Sequence, residues 1–135
     1  MIMRGCTVEE CQWNGVYAWG ADISCDDLQV VGCGYSGVCA INNATITLSG
    51  QGTSIQGNVT DGLNYEFRGY GLHTYSSSAN IHLVHPITKE QISTNNGGGG
   101  NWGGKKGSTI KQVDNDGVVL QILYEGEDDD YLDDY

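Results

Sequence analysis

Among the residues able to do chemistry, the acids come first. Asp26 and Asp27 are adjacent, and Asp61 follows the run Asn58-Val59-Thr60. Glycoside hydrolysis needs two or three carboxylates converging within about 5–10 Å around one bond. An adjacent Asp pair between two strand-like segments is more often a solvated turn, its oxygens bonding local backbone. The five cysteines (Cys6, Cys11, Cys25, Cys33 and Cys39) crowd the first 40 residues. They lack the paired close spacings and nearby histidines of a zinc site, and read better as small buried side chains. No catalytic residue, metal ligand or cofactor is assigned on these grounds. The aromatic residues are more suggestive. Tyr17 and Trp19, and likewise His73 and Tyr75, sit two apart in strand-like segments, so each pair would share one face. Tyr65 and Phe67 lie in a longer stretch just before the second pair. Stacked aromatic rings on a flat sheet face suit the C–H faces of sugars or an apolar protein surface.

What must position these residues is a repeat. Its first half reads Val8-x-x-Cys11, Val30-x-x-Cys33, Ile55-x-x-Asn58 and Ile92-x-x-Asn95. Its second half is a small residue two before an isoleucine: Ala21/Ile23, Ala44/Ile46, Ala79/Ile81 and Ser108/Ile110. Between them comes Gly-aliphatic-x-small, as Gly15-Val16-Tyr17-Ala18, Gly37-Val38-Cys39-Ala40 and Gly71-Leu72-His73-Thr74. A fixed order of short segments with variable gaps is what a solenoid produces, since insertions fall in turns and spare the stacked strands. In the second unit, Leu28, Val30, Val38, Ala40, Ala44, Ile46 and Leu48 point inward, and Gln29, Cys39 and Ile41 outward. The turns are Gly32 to Ser36, Asn42-Asn43 and Ser49 to Gly52. Cys6 then aligns with Leu28 and Thr53, Cys25 with Leu48 and Leu83, and Cys11 and Cys33 with Asn58 and Asn95. Cys11 and Cys33 would stand one layer apart, about 4.8 Å, within the range a disulfide tolerates. Two units carry insertions: the segment with Tyr65 and Phe67, and the glycine run Gly97 to Gly100, which cannot make a strong strand.

The chain has 135 residues, with 21 glycines, one proline and one phenylalanine, and no window of amphipathic helical spacing. Short runs of Val, Ile, Thr and Tyr cut by Gly, Asn, Asp and Ser are strand-and-turn composition. The expected organisation is a β domain over residues 6–124 and an acidic, disordered tail over 125–135. After Ile110, the alternating Val113, Val118, Leu120 and Ile122 are expected to finish the stack in a loosened last unit. No apolar run is long enough to span a membrane, and the repeat begins too early to leave room for a signal peptide. With no cap before Cys6, the chain reads as a fragment or a C-terminal module. The net charge of −11 repels phosphate backbones and anionic lipids, which argues against nucleic acid as a partner.

These features together resemble the right-handed parallel β-helix repeat proteins of the pectin-lyase-like superfamily. The likeness runs from about Cys6 to Tyr124 and rests on the unit length, the inward aliphatic columns and the row Cys11/Cys33/Asn58/Asn95. It implies an all-β, right-handed parallel β-helix (a solenoid) of three to four rungs, with the row acting as a polar turn ladder. The catalytic signatures of that superfamily's hydrolases are not matched: Asn58-Val59-Thr60-Asp61 and Gly69-Tyr70-Gly71-Leu72-His73 are near misses only. Its lyases use an arginine base, and the two arginines here are Arg4 and Arg68, the second with Glu66 close by. The expected function is a non-catalytic structural or adhesive module of a larger extracellular, cell-surface or virion protein. Tyr17, Trp19, His73, Tyr75, Tyr65 and Phe67 would form a strip for a neutral glycan, a protein face or a second copy of the chain. The alternative is a fragment of a polysaccharide lyase or glycoside hydrolase. The sequons Asn43-Ala44-Thr45 and Asn58-Val59-Thr60 matter only in a secretory route, and Asn58 lies in the inward ladder, where a glycan would not fit.

Overall fold

The structure, a computed structural model, describes residues 1–60 and 69–128. It is mostly β, with three sheets in which every parallel pair joins strands three places apart, and one antiparallel strand, β14, closing the first sheet. The first sheet contains β1 (Ile2–Arg4), β4 (Asp22–Asp26), β7 (Thr45–Ser49), β10 (Asn80–Val84), β13 (Thr109–Val113) and β14 (Val119–Glu125) in that order. The second contains β2 (Thr7–Glu9), β5 (Gln29–Val31), β8 (Ser54–Gln56) and β11 (Ser93–Thr94). The third contains β3 (Val16–Trp19), β6 (Val38–Ile41), β9 (Leu72–Thr74) and β12 (Trp102–Gly104). The repeat units therefore cover residues 7–26, 29–49, 54–84 and 93–113.

Alternation explains the interior. In Thr45-Ile46-Thr47-Leu48-Ser49, Ile46 and Leu48 are buried and their neighbours half-buried. Register stacks Ile23, Ile46, Ile81 and Ile110 in one column and Cys25, Leu48 and Leu83 in the next. Val8, Val30 and Ile55 form a third column, and Val16, Val38 and Leu72 a fourth. Each fully buried Val, Ile or Leu contributes roughly 1.5–3 kcal/mol, and stacking is what completes its burial. The first unit is less enclosed: Met3, Cys6, Val8, Cys11 and Ile23 are only partly buried.

The small residues at matched positions follow from the next layer. A Cβ on Gly37 would fall 2.5 Å from Ile55 Cγ2 and 3.0 Å from Asn58 Nδ2. Gly15 faces Val30 and Cys33 in the same way, and Gly71 faces Ser93 and Asn96. These glycines clear space for the following unit's strand and polar turn residue.

That polar row is a ladder. Asn58 Nδ2 donates to Val30 O at 3.1 Å and its Oδ1 accepts from Cys33 N at 2.9 Å. Asn96 repeats the pattern one unit on: Nδ2 donates to Ile55 O and Oδ1 accepts from Asn58 N, both at 3.0 Å. The fourth member is thus Asn96, where the sequence spacing placed Asn95. The reason is local. A helical turn, α1 (Lys89–Ile92), precedes β11, nucleated by a Thr88/Gln91 capping box. Ile92 is buried as the last helical residue, and Ser93 takes the strand position opposite Ile55. Cys33 holds the ladder place in the second unit, and burial, with the neighbouring Cys11, raises its pKa. All five cysteines are free thiols. Replacing Asn58 with Ala would strand Cys33 N and Val30 O inside. We expect a loss of about 2–4 kcal/mol in chemical denaturation, since unpaired buried groups cost about 1–3 kcal/mol each. A loss below about 0.5 kcal/mol would mean that the ladder is ornamental.

Three further expectations change. Residues before Cys6 are part of the sheet, with Ile2, Met3 and Arg4 pairing with Ser24, Cys25 and Asp26. The last unit is complete, since Trp102-Gly103-Gly104 pairs in parallel with Leu72-His73-Thr74. Strand β14 does not continue the stack but folds back antiparallel on β13. Asp114 Oδ1 accepts from Asp116 N and Val118 N, and Gly117 has φ +84°, so Asp114-Asn115-Asp116-Gly117 makes the hairpin turn. Val118, Leu120 and Ile122 are consequently about half exposed. At the expected start of the tail, Gly126 N donates to Ser108 O and Lys106 N to Asp128 O, which ties residues 126–128 to the last unit. Residues 129–135 lie outside the described residues.

Candidate functional site

The outer face of the third sheet carries the aromatic rows, and it divides into an exposed part and a covered part. On β3, Tyr17 and Trp19 point outward, 45% and 50% exposed. Their ring centroids are 6.4 Å apart at 51°. Trp13, in the turn leading to β3, is 69% exposed. It was not among the expected site residues; its signal is a lone large aromatic ring in a turn, Cys11-Gln12-Trp13-Asn14.

On β6 and β9 the same face is buried, which corrects the expected continuous strip. His73 is 0% exposed and Tyr75 7%, and Cys39 and Ile41 are both 0%. The register is as expected, with Tyr17, Cys39 and His73 in one row. What differs is a second layer over the sheet. Tyr70 lies against His73 edge-on, centroids 4.9 Å apart, and Tyr35 stands edge-on at 6.4 Å. Gly103 makes room for this layer, because a Cβ there would fall within the Tyr70 ring. The Tyr70 hydroxyl donates to Asp128 Oδ2 at 2.6 Å, fastening the segment after β14 over the same place. Tyr65 and Phe67 lie outside the described residues.

Within this layer Ser36 Oγ and His73 Nδ1 are 2.8 Å apart. Ser36 Oγ accepts from Tyr70 N at 3.1 Å and keeps both its proton and a second lone pair for Nδ1, so either neutral tautomer of the ring makes this contact. Nε2 has no hydrogen-bond partner among the described residues. Burial depresses the His73 pKa to about 3, so the ring is neutral at physiological pH. A hydroxyl on an imidazole has the form of a nucleophile with its base. Here both groups are wholly enclosed, and the pair fastens Tyr70 and the turn at Ser36 to the sheet.

The acids fall elsewhere. Asp26 points outward from β4 and accepts from Ser49 Oγ at 3.0 Å. Asp27 has φ +54°, and its Oδ1 accepts from Gly52 N at 2.8 Å, the local turn bonding expected of it. Asp61 and Arg68 lie outside the described residues. A shallow cleft of about 250 Å³ beside β1 is lined by Ile2, Arg4, Ser24, Cys25, Asp26 and Ser49. Asn43 is exposed in a turn, whereas Asn58 is 1% exposed and held in the ladder. Among the described residues, no cluster of three or more His, Cys, Asp or Glu is placed to hold a metal ion. No helix there is long and apolar enough to cross a membrane. Compared with known proteins, the chain matches no family model, no curated sequence and no solved structure.

Proposed function

We propose that the chain is a non-catalytic, adhesive module built as a right-handed parallel β-helix of four rungs, binding through the exposed end of its third sheet. The strand order, with every parallel pair three strands apart, supports the solenoid reading. Right-handed crossover is the rule for parallel strands joined in this manner. The observation that carries the functional half is the Tyr17–Trp19 pair, two half-exposed rings side by side on a sheet whose other outward aromatics are covered. Trp13, in the turn before β3, is a further exposed ring. Contiguous exposed aromatic surface of this kind marks contact with a partner. Two rings about 6 Å apart match stacking against successive faces of a neutral sugar chain, each worth about 1 kcal/mol beyond area burial. The net charge of −11 disfavours polyanionic glycans in the absence of a bridging cation.

The test is a glycan array read with the wild type and with Tyr17→Ala/Trp19→Ala. Truncating two half-exposed rings should leave the thermal midpoint within a few degrees while reducing neutral-glycan signal about tenfold or more. Unchanged signal would remove the aromatic pair from the binding surface. Pairing Trp19→Ala with Tyr75→Ala would be unsuitable, because Tyr75 packs on Ile41 and Cys39 in a buried cluster. That variant should lose stability by about 2–4 kcal/mol, for a reason unrelated to binding.

A further inference from the structure

The polar ladder changes its chemistry towards the first unit. Its later steps are made by Asn58 and Asn96, whose amides bond backbone groups one unit earlier. At the two matching places before them stand thiols, Cys33 and Cys11. The turns that carry these thiols run in register. Val8 pairs with Val30 ahead of the turns and Val16 with Val38 after them, so the two intervening segments are equal in length. Within them, Gly34 N donates to Cys11 O at 2.7 Å, Tyr35 N to Trp13 O at 3.1 Å and Ser36 N to Asn14 Oδ1 at 3.1 Å. Cys11 and Cys33 are therefore stacked one layer apart, and a layer spacing of about 4.8 Å lies inside the Cα range of a disulfide. The Cys33 sulfur also points the right way. A Cβ on Gly15, in the first unit, would fall 3.3 Å from Cys33 Sγ, just as one on Gly37 would fall 3.0 Å from Asn58 Nδ2. Cys11 packs on the same core yet stays partly exposed, whereas Cys33 is fully buried. The other thiols have no such mate in register: Cys25 lies between Met3 and Leu48, and Cys39 between Tyr17 and His73. Cys6 stands beside Leu28, one place before the pair Thr7 and Gln29.

We propose that Cys11 and Cys33 are a dithiol site oxidised by small disulfides such as oxidised glutathione, and that the resulting bridge staples the first unit to the second. The accessible thiol acts first. Cys11, as thiolate, attacks one sulfur of oxidised glutathione; that S–S bond breaks, one glutathione leaves and takes up a proton, and a mixed disulfide remains on Cys11. Cys33 then gives up its proton and attacks Cys11 Sγ, displacing the second glutathione. Two cysteine thiols are oxidised to one disulfide, and one oxidised glutathione is reduced to two thiols. Burial, which holds the Cys33 thiol protonated, makes this closing step the slower one. The bridge falls in the least enclosed unit, where Met3, Cys6, Val8 and Ile23 are only partly buried. It also pins the turn that leads into β3, the strand carrying Tyr17 and Trp19. The inference does not depend on what those rings bind.

Equilibrating the folded full chain in buffers of oxidised and reduced glutathione tests this. The wild type should lose two of its five thiols. Peptide mapping after cleavage at acidic residues, with fragmentation to tell Cys33 from Cys39, should find an 11–33 link. Oxidation should raise the thermal midpoint by roughly 10 °C, reversed by dithiothreitol, as a bridge closing a loop of about twenty residues would. Cys33→Ser should stop at a glutathione adduct on Cys11, and Cys11→Ser should keep all its remaining thiols. Should either serine variant fail to fold, the wild-type thiol count, link and midpoint decide alone. A folded wild type that keeps five thiols in the most oxidising buffer would overturn the inference. So would a bridge between any other pair, or an 11–33 bridge that forms only in urea or leaves the midpoint unchanged.

Discussion

Ile46→Asp is expected to abolish the folded state, and Val30→Asp to do the same. Ile46 is fully buried at the centre of the column Ile23/Ile46/Ile81/Ile110, with a strand on either side. The change removes roughly 3 kcal/mol of apolar burial and forces a carboxyl group into a stacked apolar interior. Together these exceed about 5 kcal/mol, comparable with the whole stability of a small domain. Thr47→Asp is the paired control, since Thr47 points outward from the same strand and is half-buried. It should cost no more than about 1 kcal/mol. Far-UV circular dichroism and limited proteolysis of the three variants decide the matter. A cooperatively folded Ile46→Asp protein with a near wild-type midpoint would show that the columns are not the core.

Acid should weaken the protein through His73 well before the carboxylates are exhausted. Burial holds the His73 pKa near 3, against about 6.5 in an unfolded chain. Between those values the unfolded state takes up a proton that the folded state does not, so stability falls as pH drops from 6.5 towards 3. The slope approaches 1.4 kcal/mol per unit, giving about 2 kcal/mol between pH 6.5 and 5. His82, half-buried on the outer face of the first sheet, is also shifted down, by burial and then Lys111, with Asp22 opposing. It adds a smaller slope of the same sign. His73→Asn keeps a hydrogen-bonding group for Ser36 Oγ but cannot titrate. It should be less stable at pH 7.5 yet distinctly flatter over pH 6.5–5 in urea denaturation. Equal slopes in the two proteins would mean that His73 is not the acid-sensitive group.

The strands and their stacking were legible in the sequence because burial in a stacked sheet is a local, two-residue alternation written at each unit. Val8, Val30 and Ile55, or Ile23, Ile46, Ile81 and Ile110, can be aligned by eye, and the register of the sheets follows that alignment. The turn residues were legible too: Asn42 and Asn43 both take positive φ, as small polar turn residues can. Asp114-Asn115-Asp116-Gly117 also carried a hairpin signal in its Asp-Gly step, flanked by alternating apolar residues.

Two things were decided only by tertiary structure. Alternation places Tyr17, Cys39 and His73 on the outer face, but it does not say whether that face meets water. Tyr35, Tyr70 and the segment ending at Asp128 come from separate parts of the chain to cover His73, while Tyr17 and Trp19 stay about half exposed. The ladder position in the last unit shifted from Asn95 to Asn96 because one capped helical turn consumed a residue before β11. A one-residue slip exchanges inside for outside in a strand, so a local turn can override a column drawn from the other units. Inward and outward are properties of one strand and can be read from it. Exposure is a property of whatever else packs there, and the side chains that cover His73 come from distant points in the chain.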